Sequence, residues 1–280
     1  MIGSASAPAS SGNLGPGFDV IALALELRCT ATAESAQTMT LSENGGTSRL
    51  HDDDMIYQTV MAAVERPMHI TLTNEIPRAR GLGSSSAVSA AVAAASIKGV
   101  GASEDVAAVF QIVTEMEGHA DNAAAAVFGG LVAATPNGIQ RLDLHPSLRP
   151  VVGIPTTHLK TAEARVALPQ EISLDIASRS LARLAFLIEG LARGQADALA
   201  QAAGDELHEA PRASLSPLTG ELIAAATSAG ALHASWSGAG PSAIAFATDE
   251  TKGRVIGAMA GVLGTNGQVL ALPIDNDGLL

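Results

Sequence analysis

The sequence predicts an α+β fold, on three observations. Apolar residues make up 47% of the 280-residue chain and charged residues only 16%, so a large core can be buried and disorder is excluded. Stretches of two-residue alternation are mixed with stretches of helical period, without the strict strand–helix rhythm of a parallel sheet. Two glycine-rich loops, around Gly81 and Gly238, interrupt these stretches.

Taken in order, residues 1–12 are mostly small and polar, and a glycine-bearing turn follows at 13–19. Residues 20–33 read as a strand. Residues 54–65 have helical spacing, with Ile56, Val60 and Val64 on one face. Residues 69–74 alternate, Ile70 and Leu72 against Thr71 and Thr73, as in a half-buried strand. A glycine–serine loop at 77–86 runs into an alanine-rich segment, 87–97, that reads as a buried helix. Ser103, ahead of Glu104 and Asp105, signals the start of a helix that ends near Gly118. A short helix at 122–128 closes on Gly129-Gly130, and strands follow at 131–134 and 151–154 with a polar connection between them. A domain boundary is expected near Pro150, dividing 1–150 from 151–280. Beyond it, helices are expected at 172–191, 221–228 and 254–263, and strands at 231–236, 243–248 and 269–272.

Composition narrows the function. The net charge of -12 disfavours nucleic acid and anionic membranes, and seven aromatic residues cannot line a stacking platform. With lysine only at positions 98, 160 and 252, a bound phosphate would rely on backbone amides and a few arginines. Cys29 is the only cysteine, which rules out an intrachain disulfide and suits a reducing compartment. No basic and apolar leader opens the chain, and no apolar run reaches the roughly 18 residues of a membrane span. A cytoplasmic protein is expected.

The most informative stretch is Pro77-Arg78-Ala79-Arg80-Gly81-Leu82-Gly83-Ser84-Ser85-Ser86-Ala87. A glycine turn that opens a helix presents unpaired amides and about half a positive charge, the elements of a phosphate site. Gly81 and Gly83 allow close backbone approach to an anion, and the serines add hydroxyls for phosphate or magnesium. It is not a Walker loop, because no Gly-Lys-Ser/Thr follows, and it lacks the third glycine of a dinucleotide fingerprint.

Pro-x-x-x-Gly-Leu-Gly-Ser-Ser-x-Ala resembles the nucleotide loop of the GHMP kinases. Two further blocks sit in the same order: 7–19, which is similar to the N-terminus of the homoserine kinases of that family, and 237–242, which resembles the family's C-terminal glycine loop. Glu115-Met116-Glu117-Gly118-His119-Ala120-Asp121-Asn122, Thr161-Ala162-Glu163-Ala164-Arg165 and Leu207-His208-Glu209-Ala210-Pro211-Arg212 also resemble homoserine kinase elements. The resemblance spans essentially the whole chain. It implies a two-domain fold, the first domain like domain 2 of ribosomal protein S5 and the second a ferredoxin-like α/β sandwich. It also suggests a homodimer.

The resemblance further implies ATP-dependent phosphorylation of L-homoserine, a step of threonine biosynthesis. ATP would lie on Pro77, Arg78, Ala79, Arg80, Gly81, Leu82, Gly83, Ser84, Ser85 and Ser86. Ser85 and Glu117 would hold Mg²⁺. Asn13, Asp19, His119, Asn122, Thr161, Arg165 and Arg212 would bind the substrate, and Asn122, Glu117 and Arg212 would serve catalysis. Arginine forks suit the substrate carboxylate and Asp19 suits its ammonium. An amide at position 122 cannot accept a proton, which points to direct attack by the hydroxyl, oriented by Asn122. Asp121, its neighbour on a helix, is expected to point elsewhere. Arg78 and Arg80 neutralise ATP or are ordinary surface charges, Tyr57 would lie near adenine, and Trp236 reads as packing. Two alternatives stay open: a GHMP kinase for threonine, pantoate or mevalonate, and a non-catalytic ligand sensor of the same fold.

Overall fold

The computed structural model describes residues 1–280. The chain opens with a long antiparallel hairpin, β1 (Ile2–Asn13) and β2 (Gly17–Ser35). β1 was legible only as small and polar residues, which have little strand propensity of their own. Their smallness is what the position needs, because a helix lies directly over them. A short hairpin follows, β3 (Thr40–Glu43) and β4 (Gly46–Arg49), turned through Asn44 and Gly45 at φ of 52° and 79°. Then come α1 (Met55–Val64) and β5 (Met68–Asn74), the latter burying Met68, Ile70 and Leu72 as its alternation predicts.

α2 (Ser84–Gly99) is the central helix: fourteen of its sixteen residues are buried, so it has no solvent face and no amphipathic pattern. It packs on β1 and β2 so closely that a Cβ on Gly3 would lie 2.1 Å from the Ala95 carbonyl oxygen. α3 (Val106–Glu117) starts two residues later than Ser103 suggests. The cap is Asp105, whose carboxylate accepts from the amides of Ala107 and Ala108, and Gly118 ends the helix at φ 76°. α4 (Asp121–Phe128) follows, then β6 (Leu131–Thr135) and β7 (Gly138–Leu142), a hairpin edge where the sequence reads only as a polar connection. The seven strands lie in the order β4-β3-β5-β2-β6-β7, with β1 paired to β2.

The chain changes sheet between Leu142 and Arg149. β8 (Arg149–Pro155) starts a four-stranded antiparallel sheet and leads into α5 (Thr161–Val166), α6 (Leu174–Arg193), α7 (Ala196–Gln201), the single turn α8 (Glu209–Arg212) and α9 (Pro217–Ser228). β9 (His233–Trp236), β10 (Ala243–Ala247), α10 (Lys252–Leu263) and β11 (Gly267–Ala271) complete it in the order β11-β8-β10-β9. The sequence β8-α9-β9-β10-α10-β11 is the ferredoxin-like arrangement. α9 and α10 cover its outer face through Leu222, Ala226, Val255, Met259 and Leu263. Its inner face contributes Val152, Ile154, Ile244 and Phe246 to one core of 52 residues that includes α2 and the first sheet.

The last residues return to the first sheet. Leu280 exchanges backbone hydrogen bonds with Ser6, and Ile274 bridges to Leu25. No helix is long and apolar enough to cross a membrane. Because the atoms facing Gly3 are backbone, Gly3→Ala is expected to destabilise the protein by about 1–3 kcal/mol. Urea unfolding measures this, and an unchanged midpoint would contradict the tight seating of α2 on β1.

Candidate active site

A cavity of about 550 Å³ is lined by residues from both halves of the chain. Three glycine-bearing turns meet at its floor. The Ser237 hydroxyl lies in hydrogen-bond contact with the Gly81 carbonyl at 2.7 Å and with the Ser11 hydroxyl at 2.8 Å. The Gly238 amide donates to Gly12, and the Asn13 side-chain amide donates to Gly238, each at 2.9 Å. Gly81 has φ 69°, and a Cβ there would sit 2.0 Å from the Ser237 carbonyl oxygen; a Cβ on Gly83 would sit 2.0 Å from the Ser10 hydroxyl. Both glycines are therefore demanded by chain packing, beyond any need to approach an anion.

At one end of the cavity α2 begins. Its N-cap is Gly83 and no side chain caps it, so the amides of Ser84, Ser85 and Ser86 face the cavity without a partner. The Ser84 hydroxyl is turned back to β5, where it accepts from Asn74 at 3.1 Å. Ser85 is hydrogen-bonded to Glu117, whose side chain is only 14% exposed at the end of α3. Leu82 is buried, Ala79 lines the cavity at φ 55°, and Pro77, just before them, is not among the lining residues. Arg80 is committed elsewhere: it donates to the carbonyls of Pro155, Arg78 and Thr156. Arg78 pairs with Glu43 at 2.5 Å.

Beyond this end lies an apolar recess of Leu41, Leu50, Met55, Ile56 and Val88, with Ser48 and Asp54 at its rim. Tyr57 is not among the lining residues; it packs against the core. Sequence reasoning missed the β3–β4 hairpin that carries Leu41 and Ser48. Asn44-Gly45 was the available signal, since that pair favours a two-residue hairpin turn.

The other end gathers Asn13, Asp19, His119, Asp121, Asn122, Thr161, Arg165 and Arg212. Asn13 and Leu14 have φ of 70° and 49°, and Asp19 has 55°. This unusual turn is held by the fully buried Leu14 and by two imidazoles, His233 on the Leu14 carbonyl and His208 on the Gly15 carbonyl. Asn13 then accepts from the Asp19 amide at 3.0 Å. Arg165 forms a two-pronged pair with Asp19, at 2.9 and 3.0 Å. Both side chains are about one-third exposed to the cavity. The hydrogen bonding of the Arg165 guanidinium to the Asp19 carboxylate is the main reason it is held above its ordinary value.

Arg212 is 2% exposed, and burial pulls its guanidinium down to about 10. It donates through Nε to the Ala164 carbonyl at 3.0 Å and through Nη1 to His208 at 3.1 Å, which leaves Nη2 free. Asn122 accepts from the Ser10 hydroxyl at 2.8 Å. Asp121 does not point away, contrary to the helical expectation. It is 1% exposed, lines the cavity beside Asn122, and accepts from His119 Nδ1 at 2.7 Å. Both side chains can face the cavity because they open the first turn of α4, against β1: a Cβ on Gly12 would meet both. Burial alone would lower the His119 imidazole; the hydrogen bond and charge of Asp121, with the charge of Glu117, outweigh it and leave His119 raised. Trp236 is buried against Leu159 and Ala164, as packing.

Residues 54–130 match the GHMP kinases N terminal domain and residues 187–263 the GHMP kinases C terminal domain. A homoserine kinase from Moorella thermoacetica is 37% identical over 252 residues, covering 85% of each chain. That of Deinococcus radiodurans is 34% identical, covering 97% of this chain and 94% of its own. In fold, the crystal structure of homoserine kinase from Cytophaga hutchinsonii is similar with a TM-score of 0.88, over 100% of this chain and 96% of that one at 24% identity.

Behind the cavity, burial pushes the Glu209 carboxyl from 4.5 up to about 7, although it accepts from the amides of Trp236 and Asp205. Between those two pH values the folded protein keeps a proton that the unfolded chain has lost, so this group lowers stability as pH rises through the window. Glu209→Gln cannot titrate and is expected to gain on the wild type from pH 4.5 to 7, by on the order of 3 kcal/mol. Urea unfolding at stepped pH measures the difference; a pH-independent difference would contradict the raised value.

Proposed function

The chain belongs to the homoserine kinases of the GHMP family, and from that membership we propose that its cleft transfers the γ-phosphoryl group of ATP to the side-chain hydroxyl of L-homoserine. The observation that carries the reading is the facing of two unlike ends in one cavity: free helix amides beside Ser85–Glu117, and a paired Arg165–Asp19 beside the buried Arg212. The first end suits polyphosphate and the second an amino-acid zwitterion.

ATP enters with its phosphates on the amides of Ser84, Ser85 and Ser86 and its base in the recess of Leu41, Leu50, Met55, Ile56 and Val88. The Ser85 hydroxyl and the Glu117 carboxylate are hard oxygen donors, a set that fits Mg²⁺. Bound there, Mg²⁺ would neutralise charge on the β- and γ-phosphates. Arg80 contributes by fixing the loop to the segment after β8, since its donors are spent on carbonyls.

Homoserine arrives as a zwitterion and exchanges partners with the Arg165–Asp19 pair. Its carboxylate takes Arg165 and the free Nη2 of Arg212, with Thr161 alongside, and its ammonium takes Asp19. The exchange gives Asp19 the ammonium and frees Arg165 for the carboxylate, whereas a hydroxy acid without the amine brings no cation to draw Asp19 away from Arg165. This favours homoserine over pantoate or mevalonate. Asn13 keeps the turn bearing Asp19 in place, and His119 holds Asp121.

The hydroxyl lies against the Asn122 amide. Its oxygen forms the new bond to the γ-phosphorus as the bond to the ADP oxygen breaks, and its proton passes to an oxygen of the transferred group or to water. Asn122 cannot take the proton, so it orients. A cytoplasmic location and a homodimer complete the reading; the single thiol, Cys29, is buried and its ionisation is pushed up to about 12, which suits a protein without disulfide chemistry.

The test is product detection with Mg-ATP and a panel of L-homoserine, L-threonine, pantoate, mevalonate and 4-hydroxybutyrate. O-phospho-L-homoserine should form, with turnover reduced about a hundredfold or more in Glu117→Ala. Product from another panel member alone would retire homoserine, and no turnover with any would bring the sensor reading forward. Asp19→Asn should raise KM for homoserine about tenfold while improving 4-hydroxybutyrate relative to it. Unchanged discrimination would contradict the exchange.

A further inference from the structure

His208 is the N-cap residue of α8, fully buried, and no part in substrate binding or catalysis has been assigned to it above. Its two ring nitrogens face partners of opposite kind. Nε2 lies 2.9 Å from the Gly15 carbonyl, which can only accept, so Nε2 carries the hydrogen. Nδ1 lies 3.1 Å from Arg212 Nη1, which can only donate, so Nδ1 carries a lone pair. Asp205 is farther from Nε2, at 3.8 Å, and is occupied by the His208 backbone amide. One neutral tautomer satisfies both bonds, and protonation would break the second. Burial, reinforced by the charge of Arg212, holds the imidazole down at about 4, against the pull of Asp205 and Asp19.

The ring also stacks on Phe18 at 5.3 Å, and the Arg212 guanidinium lies 5.6 Å from the same ring. His208 thus ties three pieces together: the turn that carries Asn13 and Asp19, the aromatic ring beside it, and Arg212, whose Nε reaches α5 through Ala164. We infer that His208 is a positioning residue: as a neutral Nε2–H imidazole it aims the guanidinium of Arg212 so that Nη2 meets the substrate carboxylate. The inference rests on the proposed role of Arg212 as carboxylate clamp.

Two substitutions separate aiming from packing. An asparagine side chain places its oxygen near the position of Nδ1 and can keep the Arg212 bond while losing Gly15. A glutamine reaches the position of Nε2 and can keep Gly15 while losing Arg212. His208→Gln should raise KM for homoserine about tenfold or more and leave KM for ATP unchanged, while His208→Asn, which keeps the Arg212 bond and loses only the Gly15 one, raises the homoserine KM clearly less. Thermal unfolding is measured in parallel to show that both variants fold. Equal effects of the two folded variants on homoserine, no effect of either, or a matching rise in KM for ATP would overturn the inference. If His208→Gln fails to fold, His208→Asn decides: a tenfold rise in its homoserine KM also overturns it. Arg212→Gln alone tests the clamp: an unchanged homoserine KM there would remove the premise, whatever His208 does.

Discussion

The cleft depends on a backbone-to-backbone contact between glycine loops that belong to different sheets. Gly81 sits under the Ser237 carbonyl with no room for a side chain, and the Ser237 hydroxyl and Gly238 amide complete the seam with Gly81 and Gly12. Each glycine loses more backbone freedom on folding than another residue would. That cost is offset by the shared core, where Val152, Ile244 and Phe246 of the second sheet pack with α2. The seam sets the distance between the start of α2, which comes from the first sheet, and Arg165 and Arg212, which hang from the connection between β8 and α9. Phosphoryl transfer depends on such distances more than on covalent chemistry.

Three carboxylates of the cavity each have a partner. Glu117 is satisfied by Ser85, Asp19 by Arg165, and Asp121 by His119. Arg212 stands apart, buried with part of its guanidinium unspent. A buried cation with free donors is costly, and here it is the group that most needs an anion. Its free Nη2 therefore offers a donor that a substrate carboxylate fills.

Much of this was legible in the sequence where local chemistry decides the outcome. The alternation of Ile70 and Leu72, the Gly118 and Gly129 helix ends and the Gly81 loop all act within a few residues. What escaped depends on distant partners. β1 is a strand because α2 needs small residues beneath it, and nothing local in Ala, Ser and Gly says so. β3, β4 and β7 are too short for periodicity, although Asn44-Gly45 marked the first turn. Ser103 and Asp105 are both competent caps, and only the backbone geometry at Asp105 separates them. Asp121 faces the cavity because the first turn of α4 lies against Gly12, a contact 109 positions away in sequence. Arg80 and Tyr57 carry chemistry suited to ATP, yet carbonyls at 155–156 and the core claim them.

The most direct measurement is a crystal structure with L-homoserine and a non-hydrolysable ATP analogue bound together. The account predicts an opened Arg165–Asp19 pair, the carboxylate between Arg165 and Arg212, the ammonium on Asp19, and the hydroxyl against Asn122 at roughly 3–3.5 Å from the γ-phosphorus. Homoserine bound with the Arg165–Asp19 pair still closed, or with its hydroxyl turned away from the start of α2, would contradict it.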